Sequence, residues 1–140
     1  PVGKYRIADK NKMLTFIATG AGIAPFRSML EELFSSEPNV PVMLIFGART
    51  EKELLFFEEF SRYKKKSDLF DYEYVLSNPI DRKKFSNIGH VQEIIMKNFD
   101  KIKTGDFYVC GNQNMVKDVE NLLKSNGIKE ENIKTEKFGY

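Results

Sequence analysis

Two short segments carry residue types from which a binding site can be built. Gly20-Ala21-Gly22 follows a short apolar run and precedes a helix-like pattern, and Cys110-Gly111-Asn112 closes a second apolar run. A strand that ends in Gly-x-Gly and hands over to a helix offers bare backbone amides beside the positive end of a helix dipole, which suits a pyrophosphate. The competing explanation is a tight turn that needs glycine for its geometry alone. Cys110 is the only cysteine, so it has no disulfide partner within the chain and fits a reducing, cytoplasmic compartment. A free cysteine at a strand end is either small apolar filler or a thiol presented to a ligand. With one histidine, His90, beside that one cysteine, a Cys/His metal site lacks its ligand set. No Ser/His/Asp or paired-carboxylate pattern is visible.

These segments need elements to position them. Met13 to Ala18, Val42 to Phe46, Tyr72 to Leu76, Phe107 to Cys110 and Ile133 to Phe138 are short apolar or alternating runs of strand length. Between them lie helix patterns. The first carries Phe26, Met29, Leu30, Leu33 and Phe34 on one face, with Pro25 in its first turn and a stop at Ser35-Ser36-Glu37-Pro38. The second is expected to start at Thr50, with Glu53 completing a capping box and Lys64-Lys65-Lys66 closing it. A third carries Val91, Ile94, Ile95 and Phe99 after a long polar loop from Ser77 to Gly89. The fourth carries Met115, Val116, Val119, Leu122 and Leu123 and stops at Gly127.

Strict alternation of strand and helix predicts a doubly wound α/β fold, a five-stranded parallel sheet in order 3-2-1-4-5 with helices on both faces. The 140 residues suit one domain with a core of its own. In such sheets a ligand binds beyond the carboxyl ends of the strands where the order reverses, here between strands one and four. The glycine segment and the Cys-Gly segment meet there. Twenty-two basic against 20 acidic residues give a net charge of +2, too even to argue for nucleic acid or a membrane surface. No apolar run approaches the ~20 residues that span a bilayer.

The glycine segment departs from the usual dinucleotide fingerprint: Pro25 stands where a third Gly or Ala belongs, and strand two ends at Ala48-Arg49 without an acid for the ribose. It resembles a different pattern. Thr19-Gly20-Ala21-Gly22-Ile23-Ala24-Pro25-Phe26-Arg27-Ser28 is similar to the pyridine-nucleotide motif of the ferredoxin–NADP reductase family. Phe46-Gly47-Ala48-Arg49 with Glu53-Leu54-Leu55-Phe56, Val109-Cys110-Gly111-Asn112 with Met115-Val116, and Glu136-Lys137-Phe138 resemble that family's further signatures, in order and across nearly the whole chain.

The resemblance implies an NAD(P)-binding domain of a flavin-dependent oxidoreductase, which presents NADP or NAD to an FAD or FMN held by a preceding domain. Pro1-Val2-Gly3 looks like the tail of the turn that ends such a flavin domain, so residues 1–10 are read as a connection. The chain alone is then expected to lack flavin and turnover. The implied nucleotide contacts are Thr19, Gly20, Ala21, Gly22, Ile23, Pro25, Arg49, Ser77, Asn78, Arg82, Gly111, Asn112 and Met115. The implied hydride-transfer residues are Cys110, Glu136 and Phe138, with Tyr140 a rival for stacking on the flavin. Asn78 stands where NADP-using members carry Arg after their Ser; Arg82-Lys83-Lys84 are expected to compensate and give a weak preference for NADPH. His90 is read as structural and Arg27 as a surface or pyrophosphate-edge residue outside the ranked site. The implied electron acceptor is an iron–sulfur protein, taking electrons singly, or another acceptor taking them in pairs. Two other classes share the fold. A flavodoxin-type carrier requires a hydroxyl-rich loop after strand one, and a receiver domain requires acids at the strand ends.

Overall fold

A computed structural model describes residues 12–35, 39–54, 56–85 and 87–138. Five strands, β1 (Leu14–Thr19), β2 (Val42–Ala48), β3 (Phe70–Leu76), β4 (Asp106–Asn112) and β5 (Ile133–Phe138), form one sheet. All neighbours are parallel and the order is β3-β2-β1-β4-β5, as the alternation predicts. Five helices connect them: α1 (Ile23–Ser35), α2 (Phe57–Lys66), α3 (Val91–Lys97), α4 (Phe99–Ile102) and α5 (Gln113–Ser125).

The central strands are apolar on both sides because both faces are covered. Leu14, Phe16 and Ala18 of β1 pack with Phe26, Leu30 and Leu33 of α1 and Phe60 of α2. Ile17, one residue out of phase, packs with Val91 and Ile95 of α3 and Val116, Val119 and Leu123 of α5. The two cores are therefore a direct reading of period-two alternation along buried strands.

β3 lies at an edge and begins two residues before the expected Tyr72. Asp71 and Glu73 interrupt its apolar pattern, which hides the extra length. Both acids serve the fold: Lys64 and Lys101 reach Asp71 at 2.9 and 3.5 Å, and Lys97 reaches Glu73 at 3.0 Å. Paired charges on an edge strand also discourage pairing with another chain. The aromatic side of the same strand packs under α2, where the Phe57 ring meets Tyr72 and Tyr74 edge-on with centroids 5.4 and 5.1 Å away.

Two helix expectations are corrected. Thr50 makes no side-chain cap; Glu51–Glu53 form a single 3₁₀ turn, and α2 starts only at Phe57. Glu53 Oε2 accepts the backbone N–H of Arg49 at 2.7 Å, one residue further back than a capping box requires. The third helix breaks at Asn98, whose Nδ2 donates to Ile94 O at 2.9 Å and to Glu73 Oε2 at 2.8 Å, so α3 and α4 are separate. Gly127, at φ +93, ends α5 as its position suggests. The readings placed on Pro1-Val2-Gly3, on the stop at Ser36-Glu37-Pro38, and on Tyr140 lie outside the described residues, as does the side chain of Phe138.

Candidate nucleotide site

β1 leads to α1 on one face of the sheet and β4 leads to α5 on the other, so the strand ends part at the switch point. Two glycines of the first crossover do different work there. Gly20 sits at φ +53, a conformation that favours glycine, and a Cβ built on it would meet nothing within 4 Å. Gly22 is buried, and a Cβ there would lie 2.2 Å from the Cys110 carbonyl oxygen. Gly22 therefore lets the turn close on β4, whereas open space remains over Gly20. Ile23 packs in the core, Pro25 is buried and Ala21 is exposed. The motif thus mixes packing residues with one that faces free volume.

On the other side of the crossover, a Cβ on Gly111 would lie 2.6 Å from Thr19 Oγ1 and 2.5 Å from Met115 Cε. Gly111 thus lets Thr19 and Met115 converge. The Thr19 hydroxyl is buried without a hydrogen-bond partner. Asn112 caps α5, its Oδ1 accepting Met115 N–H at 2.9 Å.

A cleft of about 370 Å³ opens beside these groups, lined among others by Thr19, Gly20, Arg49, Ser77, Asn112 and Met115. It spans the carboxyl ends of β1 to β4 on the side of α3 and α5. Its wall also includes Glu53, His90, Gln92 and Asp118, which nothing in the local sequence assigns to a site. His90 arrives because the loop after β3 folds back: Leu76 N–H donates to Asn87 O at 2.8 Å and Gly89 N–H to Leu76 O at 2.9 Å. No local pattern announces that return.

Asn78 and Arg82 do not line the cleft but stand next to Ser77, and Arg82 Nη2 donates to Asn78 Oδ1 at 3.3 Å. Arg27 is occupied elsewhere. It grips Glu59 of α2 at 2.9 and 3.2 Å and lies 3.8 Å over the Phe56 ring, which ties α1 to α2.

Cys110 and Glu136 form a separate corner. They are register partners on β4 and β5, and their side chains share the α1 face of the sheet. Cys110 is fully buried, and Glu136 is half-buried with Oε2 shielded from solvent and without a partner. Burial pushes the Cys110 thiol up to about 12, and the neighbouring Glu136 charge acts in the same direction. The thiol is therefore neutral at physiological pH. Native chain is expected to resist iodoacetamide at pH 8, with full labelling only after denaturation; equal labelling rates in the two states would contradict this burial. The sign for stability follows. The thiol gains proton affinity on folding, so its effect is absent below pH about 9, and stability falls as pH climbs from there towards about 12.

A doubly wound parallel sheet with a cleft over its switch point, flanked by a glycine turn and a capped helix, is the architecture of a nucleotide-binding α/β domain. Residues 16–121 match the oxidoreductase NAD-binding domain family, and the chain belongs to that family. It is 31% identical over 145 aligned residues to the F component of the Na(+)-translocating NADH-quinone reductase of Idiomarina loihiensis, covering 99% of this chain and 36% of that protein. The chain thus spans about a third of the length of such curated relatives. Among solved structures, ferredoxin-NADP+ reductase from Plasmodium falciparum superposes with a TM-score of 0.73 at 28% identity, over 92% of this chain and 53% of that one. The CS-b5R domains of human Ncb5or share the fold with a TM-score of 0.82 at 21% identity, over 95% of this chain and 39% of that one. The resemblance to the ferredoxin–NADP reductase family read from the sequence therefore holds.

Proposed function

We propose that this chain binds a reduced nicotinamide dinucleotide across the switch point and presents it to a flavin, FAD or FMN, carried by another domain of its parent protein. The observation that carries this reading is the cleft joining Gly20 to Ser77 over the strand ends. Its volume suits the adenosine and pyrophosphate half of such a ligand. The free space over Gly20 leaves room for phosphate oxygens, and the unpartnered Thr19 hydroxyl supplies a donor. His90 stands at the cleft wall, and its ring is proposed to stack on adenine.

When bound, the flavin accepts a hydride and passes electrons on, with an iron–sulfur protein as the proposed acceptor. The residues of this chain bind, orient and shield. Cys110 and Glu136 are proposed to border the nicotinamide, and because Cys110 has no exposed surface, contact requires the groups above it to give way. Phe138 keeps its proposed stacking role from the Glu-x-aromatic spacing. The free cysteine supports a reducing, cytoplasmic setting for the domain.

NADH is the proposed nucleotide, which departs from the weak NADPH preference expected of Ser77 and its basic neighbours. Asn78 takes the place of a phosphate-gripping arginine, and its Oδ1 already engages Arg82. Glu53 and Asp118 add two carboxylates to the cleft wall, which disfavours a further phosphate. The relatives named as NADH-quinone reductases point the same way.

Calorimetric titration of the chain with AMP, 2′-phospho-AMP and NADH tests this. AMP and NADH are expected to bind, with 2′-phospho-AMP no tighter than AMP. Failure of all three ends the nucleotide reading. A tenfold advantage for 2′-phospho-AMP returns the preference to NADPH.

A further inference from the structure

We infer that Glu51 is a positioning residue for the adenosine end of the nucleotide, its carboxylate fixing the loop after β3 that carries Ser77 of the cleft wall and, next to it, Asn78 and Arg82. The inference rests on the proposal that this cleft takes a dinucleotide.

The argument starts where the sheet stops. Ladder bonding between β2 and β3 runs two residues past the strands, with Ser77 N–H donating to Ala48 O at 2.9 Å and Asn78 N–H to Arg49 O at 2.8 Å. Pro79 then ends it, since proline has no N–H to give. The next two amides are taken by one side chain from 29 and 30 residues earlier. Ile80 N–H donates to Glu51 Oε1 at 2.7 Å and Asp81 N–H to Oε2 at 2.8 Å. Asp81 then turns the chain, its Oδ1 accepting Lys83 N–H at 3.1 Å and Lys84 N–H at 3.2 Å. That turn brings Arg82 back to Asn78. Remove the Glu51 carboxylate and nothing else described between Pro79 and Asp81 fixes the direction in which Arg82 leaves.

A carboxylate is suited to this task because its two oxygens can accept two successive amides at once. Desolvation raises the Glu51 pKa, but the backbone N–H donations from Ile80 and Asp81 outweigh it and hold the carboxyl below the usual carboxylate range. Ile80 is largely exposed, and its amide and that of Asp81 can turn to water when the clamp is lost. The expected penalty is therefore in ligand affinity rather than in folding.

Glu51→Gln keeps the size and replaces one acceptor with a donor that faces an amide. The chain carrying it is expected to bind AMP about tenfold more weakly than wild type, with an unchanged thermal midpoint. Glu51→Asp, which keeps the charge but shortens the reach, is expected to fall between the two and serves if the Gln variant does not fold. Lys52→Ala, on the neighbouring exposed position, is expected to leave AMP binding as it was. In the complete reductase KM for NADH rises while kcat is kept, a split that a general loss of structure does not produce. Wild-type affinity in a folded Glu51 variant, or a matching loss in Lys52→Ala, overturns the role of Glu51. No AMP binding by wild type overturns the nucleotide reading and this inference with it.

Discussion

Gly22→Ala is expected to destabilise the domain by about 3 kcal/mol and to disable nucleotide binding. The added methyl would lie 2.2 Å from the Cys110 carbonyl oxygen, 2.6 Å from its carbon and 3.0 Å from Gly111 N. All three are backbone atoms of a central strand, so no side chain can swing aside to relieve the contact. Either the end of β4 bends, which disturbs its ladder with β1 and β5, or the turn lifts off and moves the start of α1. Both alter the one place where the strand ends part. Gly20→Ala is the informative contrast. It meets no atom within 4 Å and suffers only the strain of φ +53, about 1 kcal/mol. Urea unfolding of the two variants beside wild type makes the comparison. Equal losses from Gly20 and Gly22 would contradict the distinction between a conformational and a contact requirement.

That distinction shows how far the sequence could be read. Gly20-Ala21-Gly22 is a visible pattern, but the sequence cannot say which glycine answers to its own φ and which to a carbonyl 88 positions later. The sheet order was legible because alternation and handed crossovers leave few arrangements. Elements bounded by local chemistry, such as α5 with Asn112 before it and Gly127 after it, were equally legible. What failed was local inference where a distant partner decides. Thr50 and Glu53 carry a capping pattern, yet Glu53 bonds to Arg49 and the helix starts later. The run from Val91 to Phe99 has helical spacing, yet Asn98 answers to Glu73 on the sheet edge.

The candidate site divides along the same line. Thr19, Gly20, Arg49, Ser77, Asn112 and Met115 lie at or within three residues of strand ends, so a resemblance in sequence finds them and the structure gathers them round one cleft. His90, the N-cap of α3, and Gln92 in that helix's first turn are brought to it by a preceding loop shaped by Glu51, Pro79 and the Leu76–Asn87 bond. Nothing in the local sequence around His90 predicts that address, and as the N-cap of α3 the residue has a structural place as well. Ile23 and Pro25 show the converse: they belong to the signature but are buried, Ile23 in the core.

Cys110→Ala, made in the complete flavoprotein, is expected to slow NADH-driven flavin reduction by on the order of tenfold or more, at least ~1.4 kcal/mol in the barrier, while AMP binding stays unchanged. The two halves of this expectation come from opposite faces of the sheet. The cleft proposed for adenosine and pyrophosphate lies on the α3 and α5 side, and Cys110 is not part of its wall. The thiol packs on the α1 side beside Glu136, with the crossover turn closed against its carbonyl. A group so placed is proposed to meet the nicotinamide end, and one that contributes mainly in the transition state changes the rate without changing ground-state affinity. Its chemistry is that of a neutral thiol, since burial and the Glu136 charge push its ionisation up to about 12. The rate loss is accordingly expected to be constant from about pH 6 to about pH 9, well below that ionisation. Removing one sulfur from a filled interior also costs some stability, on the order of 1 kcal/mol, so circular dichroism must show a folded variant before the rates are compared. Stopped-flow reduction beside an AMP titration then separates the roles. A folded Cys110→Ala protein that reduces flavin at the wild-type rate would make the thiol mere filler at the switch point, and one that also loses AMP would place the cleft on the wrong face.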